Sequence, residues 1–235
     1  MSRSDALRWI RERRPAVVRS LLLLVVGLGL VSFVAETRSF VGDEVVLRLS
    51  GLTEVRSLAT WLSVTVLFIS AGLALLASDL DPDRSVYWRS GAFISTVLSM
   101  EEVVGLHELQ EPIRRGIDPL ADRPSIAWLA AELTVAVILA AVLLAFISRL
   151  RRDVRWRFTA AMALVVTGAI GLQFLGETIA FTRGIDSISF IAIHTLEEQV
   201  ELAGFIVLLD ALALFVGSFH TFDQGEDATA RQPAV

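Results

Sequence analysis

Between Leu58 and Ala77 the chain runs for twenty residues without a charged side chain. Coiled as an α-helix at 1.5 Å per residue, that run is about 30 Å long, the thickness of bilayer hydrocarbon. A helix satisfies its own backbone N–H and C=O groups, and lipid offers them no other partner. The chain is therefore expected to be an all-α, polytopic membrane bundle. The composition of its 235 residues agrees: 54% are hydrophobic, more than the about 45–50% usual for a soluble domain. The mean hydropathy is +0.63.

The same reading along the chain gives six spans, at about 16–35, 58–77, 86–109, 126–147, 158–181 and 189–219. The third is the least apolar, because it crosses only if Glu101 and Glu102 lie within the membrane. The sixth exceeds the roughly 20 residues a crossing needs, so it is expected to tilt or to begin as an interfacial turn. The spans pair as three hairpins. Residues 1–15 form a basic arm, 16–221 the membrane domain, and 222–235 a small polar tail expected to be disordered. The first apolar run lacks a convincing small-residue cleavage site, so it reads as a span that is retained.

All the basic residues are arginines, and their placement sets the orientation. The N-terminal arm and first turn carry Arg3, Arg8, Arg11, Arg13, Arg14 and Arg19. The loop between spans 4 and 5 carries Arg149, Arg151, Arg152, Arg155 and Arg157, and Arg84 and Arg89 precede span 3. In a six-span chain all of these share one side with both termini, giving an N-in/C-in topology in the plasma or inner membrane. Trp9, Trp88 and Trp156 then fall at the inner interface, and Trp61 and Trp128 at the outer one. The arm is a positive-inside anchor that contacts the anionic lipids of the inner leaflet. The string Arg-Gly-Ile-Asp occurs at 115–118 and again at 183–186, hinting at a repeated hairpin.

Cysteine and lysine are absent, which removes disulfides, thiolate metal sites and Schiff-base chemistry. The net charge of −5 argues against nucleic acid as a partner, whereas the bilayer is an obligate one and an oligomer is compatible with the pattern.

Acidic residues inside the spans carry the functional signal. Glu101, Glu102, Glu132, Glu177, Glu197, Glu198, Glu201 and Asp210 all lie in otherwise apolar segments, with no basic residue expected at their depth. One ionised residue at a helix centre costs roughly 2.5–3.5 kcal/mol even on the lenient insertion scale. Such a group must hold protons, bind a cation or face water. The expected topology puts all of them but Asp210 in the outer half of the membrane. His194 shares a helical face with Glu197 and Glu198 at spacings of three and four, and Glu201 follows Glu197 by four. With the turn between spans 5 and 6 centred near Gly184, Glu177 is set beside Ile191 and Ala192, and Gln173 near Leu196.

Glu101, Glu102, Glu132, Glu177, His194, Glu197 and Glu198 are thus the expected metal or proton ligands. His107, Glu108, Glu201, Asp210 and Gln173 form the mouth, supporting shell or pathway. Carboxylate and imidazole together suit iron, manganese or zinc. In ligand type and helix number the set resembles the carboxylate-bridged dimetal bundles, although their Glu-x-x-His spacing is reversed here as His194-x-x-Glu197. Two functions follow. One is a cation or proton permeation site with Asp210 as a step toward the cytoplasm. The other is a membrane metalloenzyme acting on a lipid-soluble substrate, whose catalytic residues the pattern does not name. A third reading makes the acids structural, paired with Arg114, Arg115, Arg123 and Arg183 in an accessory subunit.

Overall fold

A computed structural model describes residues 3–38, 58–104, 141, 143–184 and 187–219. Every regular element among them is helical. Helix α1 is Arg3–Arg38, α2 is Leu58–Leu80, and α3 is Ser85–Val104, entered through a short 3-10 turn at Pro82–Arg84. Helix α4, Arg152–Val166, runs through a π-helical segment, Thr167–Leu172, into α5, Gln173–Arg183. Helix α6 is Ile188–Ser218.

Four stretches are long and apolar enough to cross a membrane: Leu7–Thr37, Leu58–Leu80, Val154–Arg183 and Ile188–Ser218. They correspond to expected spans 1, 2, 5 and 6. The third expected span is a helix of 20 residues but is not among the four, because Arg89 and the two glutamates dilute its apolar character. Most of expected span 4 lies outside the described residues, with only its end helical, at 143–148.

Helix α6 is the centre. Of its apolar window 67% is buried inside the protein, against 17% for α1. Helices α1, α2 and the α4–α5 pair all pack on it, and α3 packs on α2. Helix α1 runs antiparallel to α6, since Arg11 lies against Gly217 and Gly29 against Gln199. The α5–α6 turn is tight. Gly184 ends α5 at φ 85°, a left-handed conformation that favours glycine. Three residues on, Ser187 caps α6, its Oγ accepting from the Phe190 N–H at 3.2 Å.

Close approach of α4 to α6 rests on missing side chains. A Cβ on Gly204 would meet Val165 Cγ2 at 2.7 Å and the Ala161 carbonyl oxygen at 3.1 Å. Small residues let helix backbones touch where lipid supplies no hydrophobic drive for association.

Two expectations change at the end of the bundle where Arg11 meets Gly217. The arm is not separate from the first span, because α1 is continuous through Pro15 and carries Leu7 into the core. Trp88 is no interfacial anchor either. It is 1% exposed, ringed by Phe146, Phe158 and Phe215, and its indole N–H donates to Asp81. A tryptophan whose N–H finds an acceptor can be buried whole.

Candidate functional site

Side-chain contacts fix the helices in register. Ser99 Oγ donates to the Val64 carbonyl at 3.1 Å, tying α3 to α2. Gly29 lies against Gln199, and Gly168 against Glu201. Counting 1.5 Å per residue from these contacts brings the ends of α2 and α3, the π segment and residues 195–201 of α6 to one level within roughly a turn.

Six of the expected residues meet at that level. Helix α6 supplies His194, Glu197, Glu198 and Glu201, and α3 supplies Glu101 and Glu102. The charges bearing on Glu198 are those of Glu201, Glu102, Glu197 and Glu101, all of like sign. Glu197, Glu102 and Glu101 act in the same way on Glu201. Glu197 is 9% exposed and lies 3.3 Å from His194 Nδ1, and Phe190 stacks at a tilt against that imidazole.

Two glycines of the α4–α5 rod make room for these carboxylates. A Cβ on Gly176 would be 4.0 Å from Glu197 Oε2, and one on Gly168 would be 2.4 Å from Glu201 Cγ. Gly168 belongs to the π segment, and π turns inside α-helices cluster at functional sites. Gly168→Ala is therefore expected to push the Glu201 side chain out of its position. The added Cβ would also lie 3.1 Å from the Glu197 carbonyl oxygen and 3.2 Å from the Glu201 nitrogen, so the α4–α5 rod must move away from α6 as well. A lowered thermal midpoint, together with altered carbon-13 NMR signals of the glutamate carboxyl groups, is the expected result.

Sequence reasoning missed the hydroxyls of this layer. Ser32, Thr60, Ser63, Ser99 and Thr195 are all buried, from α1, α2, α3 and α6. Ser32 Oγ donates to Glu36 Oε1 at 2.9 Å. Thr195 Oγ1, in a residue 5% exposed, has no hydrogen-bond partner. The legible signal was small polar residues recurring on the buried face of α2, at 60, 63, 70 and 78.

The other expected residues do not join the group. Gln173 is exposed. Glu132, His107 and Glu108 lie outside the described residues, as do the Arg114, Arg115 and Arg123 of the ion-pair reading, and of Glu177 only the backbone is described. Asp210 departs furthest, and the expectation of acids without basic company fails there. It is 5% exposed, its Oδ1 3.0 Å from Arg14 Nη1 of α1 and its Oδ2 bonded to Arg157 of α4. Both arginines had read simply as inner-side charges. An apolar layer of Val25, Val66, Leu67, Leu202, Phe205, Ile206 and Leu209 lies between this pairing and the glutamates. The polar route from Glu201 to Asp210 is therefore interrupted.

Among the described residues no three histidine or acidic side chains are grouped so as to hold a metal ion. The imidazole of His194 lies against Glu197.

A family model matches residues 18–216, and its description is a domain of unknown function, DUF8692. No curated protein and no solved structure matches the chain.

Proposed function

The chain belongs to the DUF8692 family, and from its geometry we propose a multi-pass protein of the plasma or inner membrane that holds exchangeable protons in a carboxylate layer in the outer half of the bilayer, as a permeation site. The topology proposed with it is six spans with both ends on the arginine-rich side. One observation carries the reading. Glu198, on the central helix, feels four further carboxylates from two helices, all of like sign. Five negative charges brought to one level of the bundle repel one another in a medium of low dielectric. Protons shared among the carboxyl groups remove that excess, and the buried hydroxyls of Thr60, Ser63 and Thr195 supply donors and acceptors at the same level. His194 adds an imidazole to the same layer, its Nδ1 3.3 Å from Glu197 Oε2.

Infrared spectroscopy of the purified protein tests this, through the carbonyl stretch of protonated carboxyl groups and its shift in heavy water. Wild type is expected to show the band at neutral pH, and Glu198→Gln to lose part of it. Proton flux into vesicles holding wild-type protein should be abolished by the same substitution. Absence of the band overturns the reading. Absence of the band together with stoichiometric divalent metal by elemental analysis assigns the layer to a metal ion instead.

A further inference from the structure

We infer that Arg14, Asp210 and Arg157 form a latch that holds the inner side of the bundle shut beneath the carboxylate layer, with α1 hinging at Pro15. The inference rests on the permeation reading, to which it adds the means of closure. If that layer exchanges protons with both sides of the membrane, the apolar layer between Glu201 and Asp210 must part at some stage. Its members are tightly buried: Leu67 and Ile206 are 0% exposed and Leu202 2%. Asp210 follows Glu201 by nine positions of α6, about 13 Å of helix. Nothing polar along α6 bridges that gap, so the structure represents the closed state of the inner side.

Three features place the release point at the latch. First, the pairing ties together three elements: the first third of α1, the start of α4 and the C-terminal third of α6. Second, it is imperfectly satisfied. Two guanidinium groups share one carboxylate, leaving an excess positive charge in a place where Arg14 is only 16% and Asp210 only 6% exposed by side chain. Arg14 Nη1 touches Asp210 Oδ1 but is out of hydrogen-bond alignment and has no other partner. Buried ion pairs add little to stability, and fixing one of two alternative packings is among their best-attested uses. Third, the residue after Arg14 is Pro15, inside α1. It removes the N–H that would bond to the Arg11 carbonyl and supplies a point of bending. Beyond the hinge α1 exposes Leu23, Leu30 and Val31 on one face and buries Val25 in the apolar layer on the other, so a swing of α1 about Pro15 would part that layer at Val25. On the other limb, Arg157 shares a continuous helical rod with the π segment and Gly168, against which Glu201 rests. A shift of the rod at Glu201 is therefore transmitted to Arg157.

The absence of cysteine makes a direct test available. Ser70 is 0% exposed, its Oγ donating to the Val66 carbonyl one turn back, in the apolar layer or just below it. Ser70→Cys is nearly isosteric. In membranes from cells making this variant, labelling by a charged, membrane-impermeant maleimide from the inner side is expected to be barely detectable. Adding Arg14→Gln removes the α1 limb yet leaves Arg157 paired with Asp210, and the labelling rate should rise about tenfold or more as the open population grows. Arg14→Lys should restore slow labelling. Equal, slow labelling in the Arg14→Gln and parent proteins, both folded by size-exclusion chromatography, overturns the latch. If Arg14→Gln does not fold, Arg157→Gln in the same background carries the test with the same two outcomes. The infrared band of the protonated carboxyl groups is read on the same samples. A latch that fails with the band present leaves the carboxylate reading standing, whereas a missing band removes that reading whatever the labelling shows.

Discussion

Asp210→Ala is expected to destabilise the folded protein by about 3–5 kcal/mol, the range seen when one partner of a buried ion pair is removed. The cost does not measure what the pairing contributes. It arises chiefly because Arg14, its side chain 16% exposed, remains without a counter-charge, whereas Arg157, 39% exposed, still reaches solvent. A second substitution set separates these quantities. Asp210→Leu combined with Arg14→Met and Arg157→Met removes all three charges and keeps apolar volume, so it should recover most of the loss. Thermal unfolding in detergent, followed by tryptophan fluorescence, reports both. A triple variant as unstable as Asp210→Ala would show that the pairing itself stabilises the bundle, and the latch would then be a fixed pin.

The other large effect is expected at Trp88. Trp88→Ala should cost about 3–5 kcal/mol, as truncation of a buried aromatic usually does. Its ring centroid lies 4.4 Å from that of Phe215 and 4.8 Å from that of Phe146. It therefore joins α3 both to the C-terminal end of α6 and to the segment before α4. Its indole N–H also donates to Asp81 Oδ2 at 3.2 Å, where Arg84 Nη1 donates too. Trp88→Phe keeps an aromatic ring and loses the N–H, so it should cost much less, about 1–2 kcal/mol. Equal losses for the two variants in the same unfolding measurement would place the energy in the hydrogen bond rather than in the packing.

Trp88 also shows where reading the chain alone falls short. A tryptophan near arginines at the end of an apolar run looks like an interfacial anchor, and only the aromatic rings of Phe146, Phe158 and Phe215, brought from 58 to 127 positions away, make it a core residue. Asp210 repeats the lesson. Arg14 and Arg157 lie 196 and 53 positions from it, and each reads as an ordinary inner-side charge. What was legible depended on one helix at a time. The run from Leu58 to Ala77, most of α2, announced itself by lacking charge, and the grouping of His194, Glu197, Glu198 and Glu201 followed from spacings of three and four on a single helix. The meeting of Glu101 and Glu102 with α6 followed only from equal depth in an assumed topology. The π segment could not be read at all, because nothing in Thr167–Leu172 distinguishes a wide turn from an ordinary one. The buried hydroxyls escaped for a related reason: serine and threonine are common in spanning helices, and their burial depends on which neighbour each face meets.

The 31 residues of α6 make a rod of about 46 Å, half as long again as the roughly 30 Å of hydrocarbon available to it. Mismatch of this kind is relieved by leaning the rod or by deforming the lipid around it, each at a modest energetic cost per ångström. The position of the glutamates relative to the headgroups is then a joint property of protein and lipid. Short acyl chains bring water closer to Glu198, and long ones withdraw it. The lipid chosen for reconstitution is thus an experimental variable in its own right.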